Sequence, residues 1–449
     1  MMRIHDKLGL GVPEVLLPKP GIDLHKWAVI ACDQHTSEPA YWSEVATLVG
    51  DAPSTLQLIY PEVYLSEAAP EARIARIRAA MQRYCDDGLF TATPGFVHVE
   101  RSIAGRVRHG LMVCLDLEQY DFRVGSTSHI RATEGTILDR IPPRVKIREG
   151  ATVELPHIMV LIDDPDNHVL GPLTAARERL PVLYDFELML GSGHVCGRRV
   201  DDPALEAGVV AALTELARPE VFAARSGVPA GTPVLLYAMG DGNHSLATAK
   251  TIWERAKERA AGPAERAALL ASSPLRHALV ELVNLHDHAL EFEPIHRVLF
   301  DVTHEVSAAL TEHYPGRSRY IPLGSFDAMR LRVDAQHGGS AHLVGLVTAS
   351  GAGVLEIDSP THNLPVGTLQ PFLDAFMQAK GAREIDYVHG ADAVTRLGTR
   401  PGAAGLYLPA MRKQELFRSV ALDGALPRKT FSMGEAHEKR FYLEARRIG

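Results

Sequence analysis

The spacing of apolar positions changes several times along the chain, and each change marks an element. Over the first 65 residues short apolar runs alternate with proline, as in Trp27 to Cys32 and Leu56 to Tyr60, which predicts strands joined by loops. From Pro70 the spacing becomes helical. Ile74, Ile77, Met81 and Tyr84 share one face, Pro70 suits a first helical position and Gly88 a C-terminal cap. Phe96 to Ile103 and Leu111 to Leu117 flank Ala104-Gly105 and predict a hairpin, its second strand apolar throughout as a buried strand is. Gly125 to Arg148 is rich in charge and turn residues and poor in core residues.

His157 to Ile162 reads as a strand stopped by Asp163-Asp164-Pro165. Val234 to Met239 reads as another, followed by Gly240-Asp241-Gly242 and then by Leu246, Ala249, Trp253 and Ala256 at helical spacing. Leu279 to Leu285 adds a strand, and Leu331 to Val333, Leu343 to Thr348 and Val354 to Ile357 predict an antiparallel meander. A helix around Leu369 to Ala379, strands near Ile385 to Val388 and Leu406 to Leu408, and a charged tail complete the chain. The class is α/β, with mixed sheets and helices in more than one unit. A composition shift near Gly316 to Ser325 divides a main α/β domain, 1–320, from a smaller α+β domain, 321–449, whose tail is expected to return to the site.

With 449 residues, 46% hydrophobic and 23% charged, the chain is an ordinary folded protein rather than a disordered or fibrous one. A net charge of −8 provides no positive field for nucleic acid or an anionic membrane, so a small molecule is the expected partner; oligomeric state is left open. Cys32, Cys85, Cys114 and Cys196 are too far apart for a metal motif and fit a reducing cytoplasm. No apolar run approaches the ~20 residues of a membrane span, and the N-terminus lacks the apolar segment of a signal peptide.

Four clusters could carry chemistry. Gly240-Asp241-Gly242-Asn243-His244-Ser245 lies between a strand and a helix, where glycines allow close backbone approach and free N–H groups favour phosphate. The plain alternative is a tight turn capped by Asn243 or Ser245. Arg131, Arg140, Arg144 and Arg148 surround Glu134, so that guanidinium groups could bind phosphate and the carboxylate could act as a base; a surface ion-pair network is the alternative. His286, His288 and His296 with Asp287 could hold a metal, or could be polar turn residues. Lys429 and Thr430, within Leu426 to Ser432, could close over phosphate as an ammonium-and-hydroxyl clamp, or could be a solvated tail.

In their order along the chain these clusters resemble the bacterial and archaeal family called domain of unknown function 1015. Val29 to Asp33 and Pro61-Glu62 match its early segments, Asp241-Gly242-Asn243-His244-Ser245 its Asp-Gly-His-His-Arg, Pro294-Ile295-His296-Arg297 its Pro-x-His-Arg, and Pro427 to Phe431 its C-terminal Pro-x-Lys-Ser-Thr. That motif also resembles the phosphate-binding motif of the free-serine kinase in the ParB and sulfiredoxin-like group, which implies a core of that kind. The resemblance implies Glu134 as base, Asp241, His244 and Ser245 as handlers of phosphate and metal, and His296 and Arg297 as further binding residues. Asn243 and Ser245 replace a histidine and an arginine, so Arg140, Arg144 or Lys429 must supply the missing cation. The expected function is transfer of phosphate from ATP or ADP with Mg²⁺ to a small hydroxylated metabolite such as serine. Asp241 would hold the metal and the Gly240 to Ser245 backbone the phosphate. A noncatalytic nucleotide-binding regulator and a metal-dependent hydrolase using His286, His288 and His296 are the alternatives.

Overall fold

The apolar strand Arg106–Asp116 lies inside an eleven-stranded sheet of the computed structural model, which describes residues 2–336, 340–434 and 436–449, with Arg140 described by its backbone alone. Its hairpin partner is Phe96–Ile103, and Ala104 and Gly105, both at positive φ, form the two-residue turn. On its other edge it pairs antiparallel with His277–Asn284, which runs parallel to Met159–Ile162. Tyr237–Asp241 follows, antiparallel, and then Ile130–Arg131, parallel to it. The architecture is thus mixed α/β.

Continuous apolarity follows from burial on both faces. Leu111, Val113 and Leu115 enter one core, while Met112 and Cys114 enter the other. His277–Asn284 divides in the same way, with Ala278, Val280 and Leu282 on one side and Leu279 on the other. Glu281 shares the face of Leu279, so a carboxylate lies wholly buried inside the sheet. Gly110, on the adjoining strand, makes room for it, since a Cβ there would collide with the Glu281 side chain.

The second sheet has seven strands and starts at Phe292–Phe300, so the two sheets divide between Asn284 and Phe292. Ser318–Leu323, which spans the composition shift, pairs within this sheet with Gly351–Asp358. The chain then returns to the first half. Phe441–Tyr442 pairs with Val29–Ile30, and Arg446–Arg447 with Val153–Glu154. Among the described residues no helix is long and apolar enough to cross a membrane.

The helix expected from Pro70 runs Pro70–Asp86 with its four apolar positions buried. Four segments differ from expectation. Pro39–Val49 is a helix because Trp42, Val45 and Val49 share a buried face, and Leu56–Tyr60 opens in a short 3₁₀ turn rather than a strand. Leu331 to Val333 ends the helix Phe326–Asp334, capped by Ser325, because Met329 and Val333 are buried one turn apart. Gly125 to Arg148, read as core-poor, contains the buried strand Ile130–Arg131 and the helix Ile141–Arg148. Pro142 and Pro143 sit in the first turn of that helix, where their missing N–H groups cost little, and Ile141 and Val145 pack on Ala247 and Ile252.

Glu281 is answered by Arg440, which is ion-paired to both Glu281 and Glu444 and donates to the Pro156 carbonyl at 3.1 Å. Arg440→Ala, which strands two buried carboxylates, is expected to cost about 3–5 kcal/mol in urea unfolding. Arg440→Met combined with Glu281→Leu should recover part of that loss. An additive double mutant would show that the ion pair is not what holds the tail.

Candidate functional site

Tyr237–Asp241 runs into Gly242 at φ 79, and the helix Asn243–Arg259 begins at once. Gly242 is required twice over: the backbone is left-handed, and a Cβ would lie 3.1 Å from Ile158 Cα. No side chain caps this helix. Asp241 accepts instead from the Gly242 N–H at 2.9 Å, the Asn243 side-chain oxygen is buried without a partner, and Ser245 turns to His157. The positive end of the helix therefore faces a cleft of about 560 Å³ lined by Asp241 to Ser245, Glu134, Asp33, Glu62, Asp139 and Arg144.

Glu134 reaches the cleft because the chain beyond Leu426 lies beside it. The Leu426 N–H donates to Thr133 O at 2.7 Å, the Gly135 N–H to Leu426 O at 3.3 Å, and the Thr430 N–H to Glu134 Oε1 at 3.3 Å. Burial pushes the Glu134 carboxyl up to about 7, against the N–H groups of Lys429 and Thr430 and the positive charge of Arg297. Asp241 behaves differently. Burial again opposes its ionisation, but the Lys439 ammonium at 3.1 Å outweighs this and holds it below the usual carboxylate range.

Behind Ser245 runs a polar relay. His157 Nε2 lies 3.0 Å from Ser245 Oγ and 3.8 Å from Asp33 Oδ2, and Nδ1 lies 2.8 Å from the Tyr442 hydroxyl. That hydroxyl donates to Cys32 Sγ at 3.0 Å and accepts from the Cys32 N–H at 3.3 Å. With its one proton given to sulfur, the Tyr442 hydroxyl accepts from His157 Nδ1, which therefore carries a ring proton.

Of the other residues singled out in the sequence, Arg144 lines the cleft and most are placed elsewhere. Arg131 is buried and donates to the carbonyls of Thr127, Ser128, Pro233 and Val234, so its guanidinium braces backbone. Arg297, fully buried under Tyr387, donates to the carbonyls of Ile295, Arg428 and Lys429 and so fixes the segment that contacts Glu134. The Lys429 ammonium lies over Tyr387 at 5.0 Å, and Thr430 Oγ1 donates to Pro427 O at 2.6 Å. His296 stacks on Tyr407, accepts from the Leu408 N–H at 3.1 Å and is pushed down to about 4 by burial, hence neutral; it lines a separate cavity of about 1000 Å³. Gly240 is packed against Leu161 and Met433. Arg144 lines the cleft in an ion pair with Glu62, and the Arg140 side chain lies outside the described residues. His286 is bound to Asp163 at 2.7 Å, and among the described residues no three His, Cys, Asp or Glu side chains form a group that could hold a metal ion.

Lys439, Tyr442 and His157 were not anticipated as site residues. The signals available were the apolar run Phe441-Tyr442-Leu443 inside the charged tail and the expectation that this tail returns to the site.

The raised carboxyl of Glu134 has a consequence for stability. Its folded-state value exceeds the usual 4.5, so the folded state holds the proton more tightly and loses stability as pH rises from about 4.5 through 7. Glu134→Gln removes this penalty while keeping the acceptor for Thr430. The variant should match wild type near pH 4 and exceed it by about 1–3 kcal/mol at pH 8 in denaturant titrations. Equal stabilities at both pH values would refute the assignment.

A family model described as protein of unknown function (DUF1015) matches residues 16–376. No curated protein matches the sequence. Solved structures similar to the chain include a conserved hypothetical protein from Pyrococcus furiosus, at 11% identity and TM-score 0.35 over 75% of this chain and 94% of that one. Free serine kinase in complex with AMP is similar at 10% identity and TM-score 0.37, over 74% and 90% of the two chains. SbnI from Staphylococcus aureus is similar at 7% identity and TM-score 0.34, over 72% and 82%.

Proposed function

We propose that this chain, which belongs to the DUF1015 family of proteins of unknown function, transfers phosphate from ATP or ADP to the hydroxyl of a small metabolite. The observation that carries the reading is Glu134, a carboxyl raised to about 7 that lines the same cleft as an uncapped helix N-terminus. A base must hold its proton loosely at working pH, and a phosphate needs N–H groups and a positive dipole; the cleft offers both. Its volume lies within the ~300–1,000 Å³ usual for small-molecule sites. The partnerless Asn243 oxygen leaves an acceptor for a nucleotide or acceptor hydroxyl. Glu134 takes the proton from the attacking hydroxyl, and the start of Asn243–Arg259 holds the transferred group.

Mg²⁺ would neutralise the phosphates when bound. Asp241 is the candidate ligand from the sequence, and it would have to give up Lys439 to take the metal. Lys439 therefore supplies a positive charge at this end of the cleft, where the family motif has an arginine and this chain has Ser245. A nucleotide-binding regulator is the second reading. The observation in its favour is the Arg144–Glu62 pair, which occupies the guanidinium nearest the motif in the cleft wall.

The two readings separate on Glu134. Wild type incubated with ATP or ADP, Mg²⁺ and a pool of hydroxylated metabolites should yield a phosphorylated product, with a rate that rises tenfold per pH unit below about 7 and levels above it. Glu134→Gln should bind nucleotide and lose about 10²-fold or more in transfer. Nucleotide binding by wild type without any phosphorylated product would establish the regulator instead.

A further inference from the structure

A second space opens off the cleft. It measures about 130 Å³ and shares Glu62, Leu65, Arg144 and Ser245 with the cleft wall, so a molecule held at Ser245 can extend into it. Its inner wall is carbon, from Leu58, Ile59, Met81, Ile147, Ala151 and Leu279. We propose that this chamber receives a hydrocarbon arm of the substrate, which makes the acceptor a hydroxylated molecule bearing a phenyl or short aliphatic group rather than serine itself. The inference rests on the phosphotransfer reading for the word acceptor, and on the cavity alone for the arm.

The wall decides between a hydrocarbon and a nucleotide base. Its polar groups are already engaged with one another. His157 and Tyr442 belong to the relay, the Tyr60 hydroxyl is bonded to Glu67 at 2.8 Å and Tyr64 O at 3.1 Å, and Glu154 takes Arg148, Arg446 and the Leu279 N–H. Among the described residues only Arg148 Nε in this wall is buried without a partner. A purine would bury several ring nitrogens and an amino group against an inner wall of carbon and side chains already bonded to protein groups, whereas a hydrocarbon leaves nothing unpaired. Size agrees: an apolar void of roughly 150 Å³ takes up benzene, and the side chain of serine would leave this one almost empty.

The test needs no nucleotide and no turnover. Binding of benzyl alcohol to the full chain is followed by ligand-observed NMR, and linear alcohols from ethanol to octanol compete with it. The chamber predicts that affinity rises about fourfold per methylene and levels at roughly six carbons, where the space is filled. Ala151→Leu, which fills the space from its own wall, should weaken benzyl alcohol at least tenfold with the melting temperature unchanged or raised. Ile59→Phe serves the same purpose if Ala151→Leu fails to fold. An affinity that does not depend on chain length, or that survives both substitutions, overturns the chamber. In the transfer assay phenylserine should exceed serine at least tenfold in kcat/KM, and equal rates would overturn the assigned acceptor class. If no acceptor is phosphorylated, the phosphotransfer reading fails alone, and the alcohol series still decides the chamber.

Discussion

Everything near the cleft is referenced to one buried guanidinium. Arg440 stands inside the first sheet between Glu281 and Glu444 and holds the Pro156 carbonyl. Burial alone would drive its proton off, but Glu444 and Glu281 more than reverse this, and Arg440 in turn keeps Glu281 ionised. Such a group is not a cheap source of stability, because desolvation cancels much of the attraction. Its effect is geometric. Lys439 immediately before it reaches Asp241, Tyr442 two residues after it reaches His157, and Pro156 is the residue before His157. Three segments far apart in the chain thus meet in one register at the end of the strand that leads into Gly242.

The elements visible in the sequence are those whose pattern is decided locally. Pro70–Asp86 carries its own start, face and stop, and Tyr237–Asp241 followed by Asn243–Arg259 is strand, glycine and helix in immediate succession. The same holds for the motif Gly240 to Ser245, whereas Glu134, just beyond the strand Ile130–Arg131 at the same end of the sheet, is held in the cleft by the distant segment Leu426 to Thr430. What escaped was set by distant partners. Arg131 and Arg297 look like anion-binding groups in sequence, but each has a set of carbonyls waiting in the fold, and a guanidinium with five donors is well suited to bracing backbone. Conversely Lys439 and Arg440 look like a solvated tail, and only pairing of Phe441–Tyr442 with Val29–Ile30 brings them inside. Leu331 to Val333 failed for a simpler reason: two apolar residues flanking the single charged Arg332 cannot distinguish a strand from the last turn of a capped helix.

Five carboxylates line the cleft, Asp33, Glu62, Glu134, Asp139 and Asp241, and the proposed binding of a phosphate there requires that their charge be reduced. Three separate devices reduce their charge. Glu62 faces Arg144, Asp241 faces Lys439, and Glu134 keeps a proton over much of its time at neutral pH because it is buried. The first two are ion pairs within the protein, whereas the third is a proton that the proposed reaction would move. On the phosphotransfer reading, a Glu134 that gave up its proton would become a base and also a charge facing the incoming anion, so the change that speeds attack would weaken binding. A carboxyl set near 7 by burial would, on the same reading, balance these demands: neutral often enough to admit a phosphate and ionised often enough to accept a proton from an alcohol.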